Sequence, residues 1–191
     1  MRCLLCENLS LIHICKQCQS TFLQPTLYKR KLNNEVDVYS FYKYEEIKEL
    51  LHTKHTDIGF YIYKILANNS LKLFSEEFQY QESLVSIGID DVPKSGYSHT
   101  AILNKSLHSS LIQPLYNKLR ANNSVSYSGQ TKEFRLLHPR DFRLKKFSQK
   151  SVILVDDIIT TGSTLRQAAQ KLVQADKELL LCLTLCDVSQ K

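Results

Sequence analysis

The sequence predicts an α/β fold: a parallel β-sheet flanked by helices, with a small four-cysteine module in front of it. Three observations carry this. Val152 to Val155 form an apolar, mostly β-branched run, and Leu179 to Cys186 form a second; each is too continuous for a half-exposed strand and reads as one buried on both faces. Between them Leu165, Ala168, Ala169, Leu172 and Val173 recur at helical spacing, so strand and helix alternate as parallel sheets require. Four of the six cysteines fall within the first eighteen residues.

A chain of 191 residues, 43% of them hydrophobic, suits one α/β domain with a small appendage and excludes two large domains. No apolar run approaches the length of a membrane span, and Met1-Arg-Cys-Leu-Leu-Cys6 lacks the apolar stretch of a signal peptide. A cytoplasmic chain with reduced cysteines is therefore expected.

The N-terminal cysteines stand as Cys3-x-x-Cys6 and Cys15-x-x-Cys18. Each turn can aim two thiolates at one point, and two turns close a tetrahedral shell with no open position, which marks structural zinc. His13 lies between the pairs and is expected at the surface. Gln19 to Asn34 is polar, holds the basic cluster Lys29-Arg30-Lys31, and reads as a connector. The expected division is thus a zinc-ribbon-like module and connector over 1–34 and the α/β domain over 35–191.

Alternation over Val36 to Tyr42 predicts a strand, and Ile47, Leu50 and Leu51 predict a helix over Tyr44 to Leu51. Ile58, Ile62, Ile65 and Leu66 mark another helix. Leu84 to Ile89 reads as a second core strand ending in Asp90 and Asp91, followed by Val92-Pro93-Lys94. A helix through Ile102, Leu103 and Leu107 comes next, then a further helix running past Pro114 to Leu119. Cys182 and Cys186 fall on one side of the last strand and are expected to pack as small hydrophobes.

The chemistry concentrates at the end of the Val152 strand. Asp156 and Asp157 sit at its carboxyl end, where ligands of open α/β sheets bind. Thr160-Thr161-Gly162-Ser163-Thr164 combines hydroxyls with one residue free to take positive φ, then enters a helix, so N–H groups and a positive helix end face an anion. Acids beside a phosphate cradle can accept hydrogen bonds from hydroxyls or act through a divalent cation, which points to a sugar phosphate with vicinal hydroxyls.

These residues resemble the PRPP (5-phosphoribosyl 1-diphosphate) motif of type I phosphoribosyltransferases. The resemblance implies that Asp156 and Asp157, the candidate catalytic carboxylates, bind the ribose hydroxyls, that Thr160, Thr161, Gly162, Ser163 and Thr164 wrap the 5′-phosphate, and that Mg²⁺ accompanies PRPP. It also implies a pyrophosphate role for the loop Asp91 to Lys94, with Lys94 as the cation; an exposed turn with a solvated lysine is the other reading. With the four-cysteine module and the aromatic strand Phe41 to Tyr44, the whole chain resembles the competence protein F (ComF, ComFC) family. It departs from that family in having Asp91-Val-Pro93 and Ser95-Gly-Tyr-Ser-His99 in place of Pro-Val-Pro and Arg-Gly-Phe-Asn-Gln. Membership would imply a part in natural transformation on the cytoplasmic side, with single-stranded DNA and PRPP as ligands. The competence DNA-uptake machinery, a membrane channel and helicase, would be its neighbour.

Charge supports a polyanion partner separately. The chain carries a net +6, and Gln130 to Lys150 alone holds seven basic residues against Glu133 and Asp141, a net of +5. Lys132, Arg135, Arg140, Arg143, Lys145 and Lys146 are the candidate DNA contacts, with Phe134, His138, Phe142 and Phe147 interleaved as stacking surfaces. Two other readings stay open for this stretch: a basic loop over the pyrophosphate, and a solvated face over core phenylalanines. Function has three candidates: a ComF-like competence factor, a phosphoribosyltransferase of nucleotide salvage, and a non-catalytic PRPP-sensing regulator. The salvage reading needs a base pocket, and only Asp187 to Lys191 follow Cys186.

Overall fold

In the computed structural model of the chain, residues 1–33, 35–89, 93, 96–122 and 140–190 are described. Their seven strands form one sheet: β1 (Tyr28–Leu32), β2 (Val36–Lys43), β3 (Leu84–Ile89), β4 (Ile112–Ala121), β5 (Phe142–Leu144), β6 (Ser151–Ile159) and β7 (Glu178–Asp187). The order across the sheet is β1-β2-β7-β6-β3-β4-β5. The five inner strands run parallel, and β1 and β5 close the two edges antiparallel. The expected parallel sheet is therefore present, with β6 and β7 side by side near its middle.

Period-2 alternation sends the side chains of β6 and β7 into two separate cores. Ile153, Val155, Leu183 and Leu185 join one cluster, beneath α3 (Asp57–Asn69), α4 (Leu71–Glu77) and α5 (His99–Ser106). Val152, Leu154 and Cys182 join the other, which the helix α6 (Ser163–Gln174) covers with Leu165, Ala168 and Leu172. Continuous apolarity in these strands thus has its expected cause. Cys182 and Cys186 do not share a cluster, however, since Cys186 belongs with the first. Burial pushes both thiols up, Cys182 to about 12.

Helix α2 (Tyr44–Leu51) is followed by a 3-10 turn, His52–His55, and then by α3, whose N-cap Thr56 accepts a hydrogen bond from the Gly59 N–H. Gly59 has no room for a side chain: a Cβ there would collide with the Thr53 carbonyl oxygen and Tyr97 Oη. Tyr97 in turn donates to the Lys54 carbonyl at 2.7 Å and reaches that of Thr56 at 3.2 Å. The turn is thereby pinned between two helices.

Three expectations are corrected. Gln19 to Asn34 is no irregular connector: α1 (Lys16–Phe22) ends within it and β1 pairs with β2, so the sheet begins at Tyr28; Asn34 lies outside the described residues. Ile112–Ala121 is the strand β4, where a helix past Pro114 was expected. Pro114 is tolerated because β5 pairs only with Leu119, Arg120 and Ala121, leaving the outer flank at Pro114 without a ladder partner among the described residues. His13 is half-buried, with its ring stacked on Tyr61 at 4.4 Å between centroids.

Candidate functional site

The carboxyl ends of β6 and β7 meet the N-terminus of α6, and alternation parts the two acids there. Asp156 turns toward the α6 face and lines a small cleft with Thr160, Gly162, Ser163, Thr164 and Leu165. Gly162 is the N-cap of α6 at φ 76°, and no side chain caps the helix. Its first-turn N–H groups and positive dipole therefore open onto the cleft, with the Thr160, Thr161, Ser163 and Thr164 hydroxyls beside them. Ser163 N–H reaches Thr161 Oγ1 at 3.4 Å. The expected phosphate loop and the first acid are thus brought together.

Asp157 turns to the other face and is 6% exposed. Its Oδ2 accepts hydrogen bonds from Lys54 Nζ and Tyr63 Oη, both at 3.2 Å, and lies 3.5 Å from His99 Nε2. Burial would raise this carboxyl, but the charges of His99 and Lys54 and the two hydrogen bonds outweigh it and hold Asp157 below the usual carboxylate range. Asp156 moves the opposite way: burial and the adjacent Asp157 charge push it up, against the Asp157 N–H that donates to its Oδ1 at 2.9 Å. One acid is a fixed anion within a buried polar cluster, and the other is a destabilised carboxylate facing the cleft. Lys54 stays charged because Asp157 raises its pKa.

Lys54, Tyr63, His99 and Arg30 are site neighbours that sequence reasoning passed over. Arg30, on the edge strand β1, donates to the Asp187 carboxylate at 3.1 Å and to the Thr160 carbonyl at 3.0 Å. Asp187, 1% exposed, also accepts from Ser189 N–H and Oγ at 2.8 Å. A helical or strand period cannot signal such residues, because four elements distant in sequence deliver them to the adjacent carboxyl ends of β6 and β7.

At the other end of the first core, the four sulfurs of Cys3, Cys6, Cys15 and Cys18 lie within 4.8 Å of one another. The Cys6–Cys15 separation is 3.8 Å, close to the edge of about 3.8 Å that a tetrahedron of 2.3 Å zinc–sulfur bonds requires. Cys15 N–H donates to Cys3 Sγ and Cys18 N–H to Cys15 Sγ, so Cys15 also caps α1. Burial raises the Cys3 thiol, yet N–H groups of Cys15, Cys6 and Leu5 bring it down to about 6; burial and the neighbouring thiols push Cys18 up. The donor set can hold a metal ion in a closed shell.

The basic stretch divides. Arg140 lies at the ligand end, its N–H donating to Gln167 of α6 at 2.8 Å and its charge felt by Asp156. Arg143, Lys145 and Lys146 are exposed. Lys145, Lys146, Phe147 and Lys177 border an open groove at the amino end of β6, where Lys177 Nζ sits 4.6 Å from the Phe147 ring centre and donates to the Phe147 carbonyl at 2.9 Å. Eight rises along β6, roughly 26 Å, separate the two ends, so Lys145 and Lys146 are not part of a loop over the Asp156 cleft. Phe142 is 2% exposed and is a core residue rather than a stacking surface. Lys94, Asp90, Asp91, Lys132, Phe134, Arg135 and His138 lie outside the described residues. Among the described residues no helix is long and apolar enough to cross a membrane.

A profile of the PRTase-CE family matches residues 27–188, from just before β1 to just past β7. No curated protein matches the chain by sequence. Among solved structures, a hypoxanthine phosphoribosyltransferase from Staphylococcus aureus is 17% identical with a TM-score of 0.40; the match covers 65% of this chain and 62% of that one. An adenine phosphoribosyltransferase from Saccharomyces cerevisiae is 17% identical, with a TM-score of 0.43 over 90% of this chain and 88% of that one. An orotate phosphoribosyltransferase from Mycobacterium tuberculosis H37Rv is 9% identical, with a TM-score of 0.38 over 87% and 90%. The chain therefore spans about 62% of the length of the first of these.

Proposed function

The chain belongs to the PRTase-CE family, and on that footing we propose that it binds PRPP at the carboxyl end of β6 and serves as a ComF-like competence factor. In this reading it takes single-stranded DNA at a second surface, in the cytoplasm, beside the DNA-uptake machinery. The observation that carries the PRPP part is the single cleft shared by a carboxylate and an uncapped helix N-terminus. Loop N–H groups and the hydroxyls of Thr160 to Thr164 take the 5′-phosphate. Asp156 accepts a ribose hydroxyl, and Asp157 holds Lys54, Tyr63 and His99 in place behind it. Lys94 is proposed for the pyrophosphate.

Mg²⁺, when bound, neutralises charge on the diphosphate. One carboxylate on the cleft is too few for an all-protein cage and suits an ion that arrives with substrate phosphates. Zn²⁺ is proposed for the four cysteines, making the segment ahead of β1 a metal-stabilised part and starting the phosphoribosyltransferase-like part with β1 rather than at residue 35.

For DNA, the support is the concentration of charge in Gln130 to Lys150 and the groove of lysines against Phe147. Lys132, Arg135 and Arg143 are proposed to extend the contact, while Arg140, at the ligand end, falls outside it. Sequence-independent single strands suit it, since flexible bases can reach a ring that a duplex cannot. Isothermal titration of one preparation with PRPP and Mg²⁺, and with an oligonucleotide, tests both parts. Asp156→Ala should abolish measurable PRPP binding and leave the oligonucleotide isotherm unchanged. A wild-type chain that takes up no PRPP would end this reading.

A further inference from the structure

Lys29-Arg30-Lys31 is a basic cluster that the proposed function does not use, and the strand splits it by face. Lys29 and Lys31 turn to Asp37 on β2, at 3.0 and 2.8 Å. Arg30 turns the other way, and two separate chain segments, the end of β7 and the loop after β6, meet on its guanidinium. Nη1 bonds Asp187 at the end of β7 and reaches Ser189 Oγ at 3.4 Å; Nη2 bonds the carbonyl of Thr160. The same Nη2 lies 3.3 Å from where a Cβ on Gly162 would stand. Arg30 is therefore packed against the back of the loop whose front forms the cleft.

We infer that Arg30 is the positioning residue of the phosphate loop, an inference that rests on the PRPP reading. The peptide bond is planar and trans, so the carbonyl of Thr160 and the N–H of Thr161 point in opposite directions. With that carbonyl drawn back to the guanidinium, the Thr161 N–H is turned to the opposite side of the loop, as a donor for an anion. A positive charge held directly behind the loop strengthens the same site, and the fork supplies both effects only because it can serve Asp187 and Thr160 at once. A lysine in its place keeps the charge against buried Asp187 but has a single point of attachment.

Arg30→Lys and Arg30→Gln separate fork from charge, and the probes are ribose 5-phosphate and inorganic pyrophosphate with Mg²⁺, read by isothermal titration. Both variants should bind ribose 5-phosphate about tenfold more weakly, with Arg30→Gln the weaker, while pyrophosphate affinity stays at the wild-type value. Lys29→Gln should change neither. The chain has five glycines, so a ¹⁵N-glycine spectrum is simple, and the Gly162 resonance should move in ligand-free Arg30→Lys. If Arg30→Gln does not fold, Arg30→Lys, which keeps the ion pair with Asp187, carries the test alone. Wild-type affinity for ribose 5-phosphate in the variants, or equal losses for both probes, overturns the positioning role while leaving the PRPP reading in place. Wild-type protein that binds no ribose 5-phosphate overturns both.

Discussion

Asp156 and Asp157 are adjacent in the chain and opposite in circumstance, and ligand-free stability should show it. Asp156 is raised by burial and by its neighbour, so the native state holds its proton to higher pH than the unfolded chain does. Between the usual carboxylate range near 4 and that raised value, stability falls as pH rises. Asp157 is lowered; its contribution is full above the unfolded value near 4 and is lost as pH falls through the native one. Asp156→Asn should therefore raise the melting temperature at pH 8 and do little near pH 4. Asp157→Asn should cost roughly 2 kcal/mol at pH 8, because it leaves the half-buried Lys54 without its counter-charge. Thermal melts in Mg²⁺-free buffer decide, and equal shifts for the two variants would contradict the division between faces. Gly59→Ala tests the same cluster from behind: with no space for a Cβ beside Tyr97 and Thr53, it should destabilise the fold by more than about 2 kcal/mol and unseat Lys54. At this scale the acids, the loop and the cysteines were legible in the sequence because each is a local pattern. Arg30, Lys54 and His99 were not, since their importance exists only once β1, the 3-10 turn and α5 converge.

The elements read best were those with a strong local period: β2, α2, α3, β3, α5, β6, α6 and β7 all fall where alternation or helical spacing put them. β4 and β1 were misread, and no period announced α1, α4 or β5. An edge flank tolerates Pro114, so a residue that argues against a central strand says nothing against this one. β1, half exposed and basic, gains its identity from pairing with β2 rather than from its own sequence. The four-cysteine segment behaves as one element with the first core, because Cys3, Ile14, Cys18 and Leu23 sit in the same cluster as Ile62 and Leu66. Gln19 fastens it further, donating to the Ile14 carbonyl and accepting from Asn69. Stripping metal with a chelator should therefore lower the melting temperature of the whole chain, and Cys18→Ser should reproduce that loss with no metal in elemental analysis. A chain unchanged in melting temperature after complete metal removal would show that packing alone holds the segment.

Taken whole, the molecule carries its two charged surfaces at opposite ends of one sheet. Replacing Lys145 and Lys146 with Gln should reduce the salt slope of single-strand binding by about 0.7 for each lysine that meets a phosphate, with PRPP affinity unmoved. Anisotropy of a labelled oligonucleotide across a salt series measures the first, and titration the second; a fall in PRPP affinity would mean that the ends communicate. The order of strands has a different consequence, one that belongs to the ribosome. β7 lies between β2 and β6, and Ser40 bonds Thr184 across 144 residues of sequence. At about 5 to 20 residues per second, roughly 7 to 29 seconds pass between the synthesis of Ser40 in β2 and the arrival of Thr184 in its neighbour. Throughout that interval β2 waits with one ladder edge open, and the middle of the sheet closes only when β7 slots between β2 and β6.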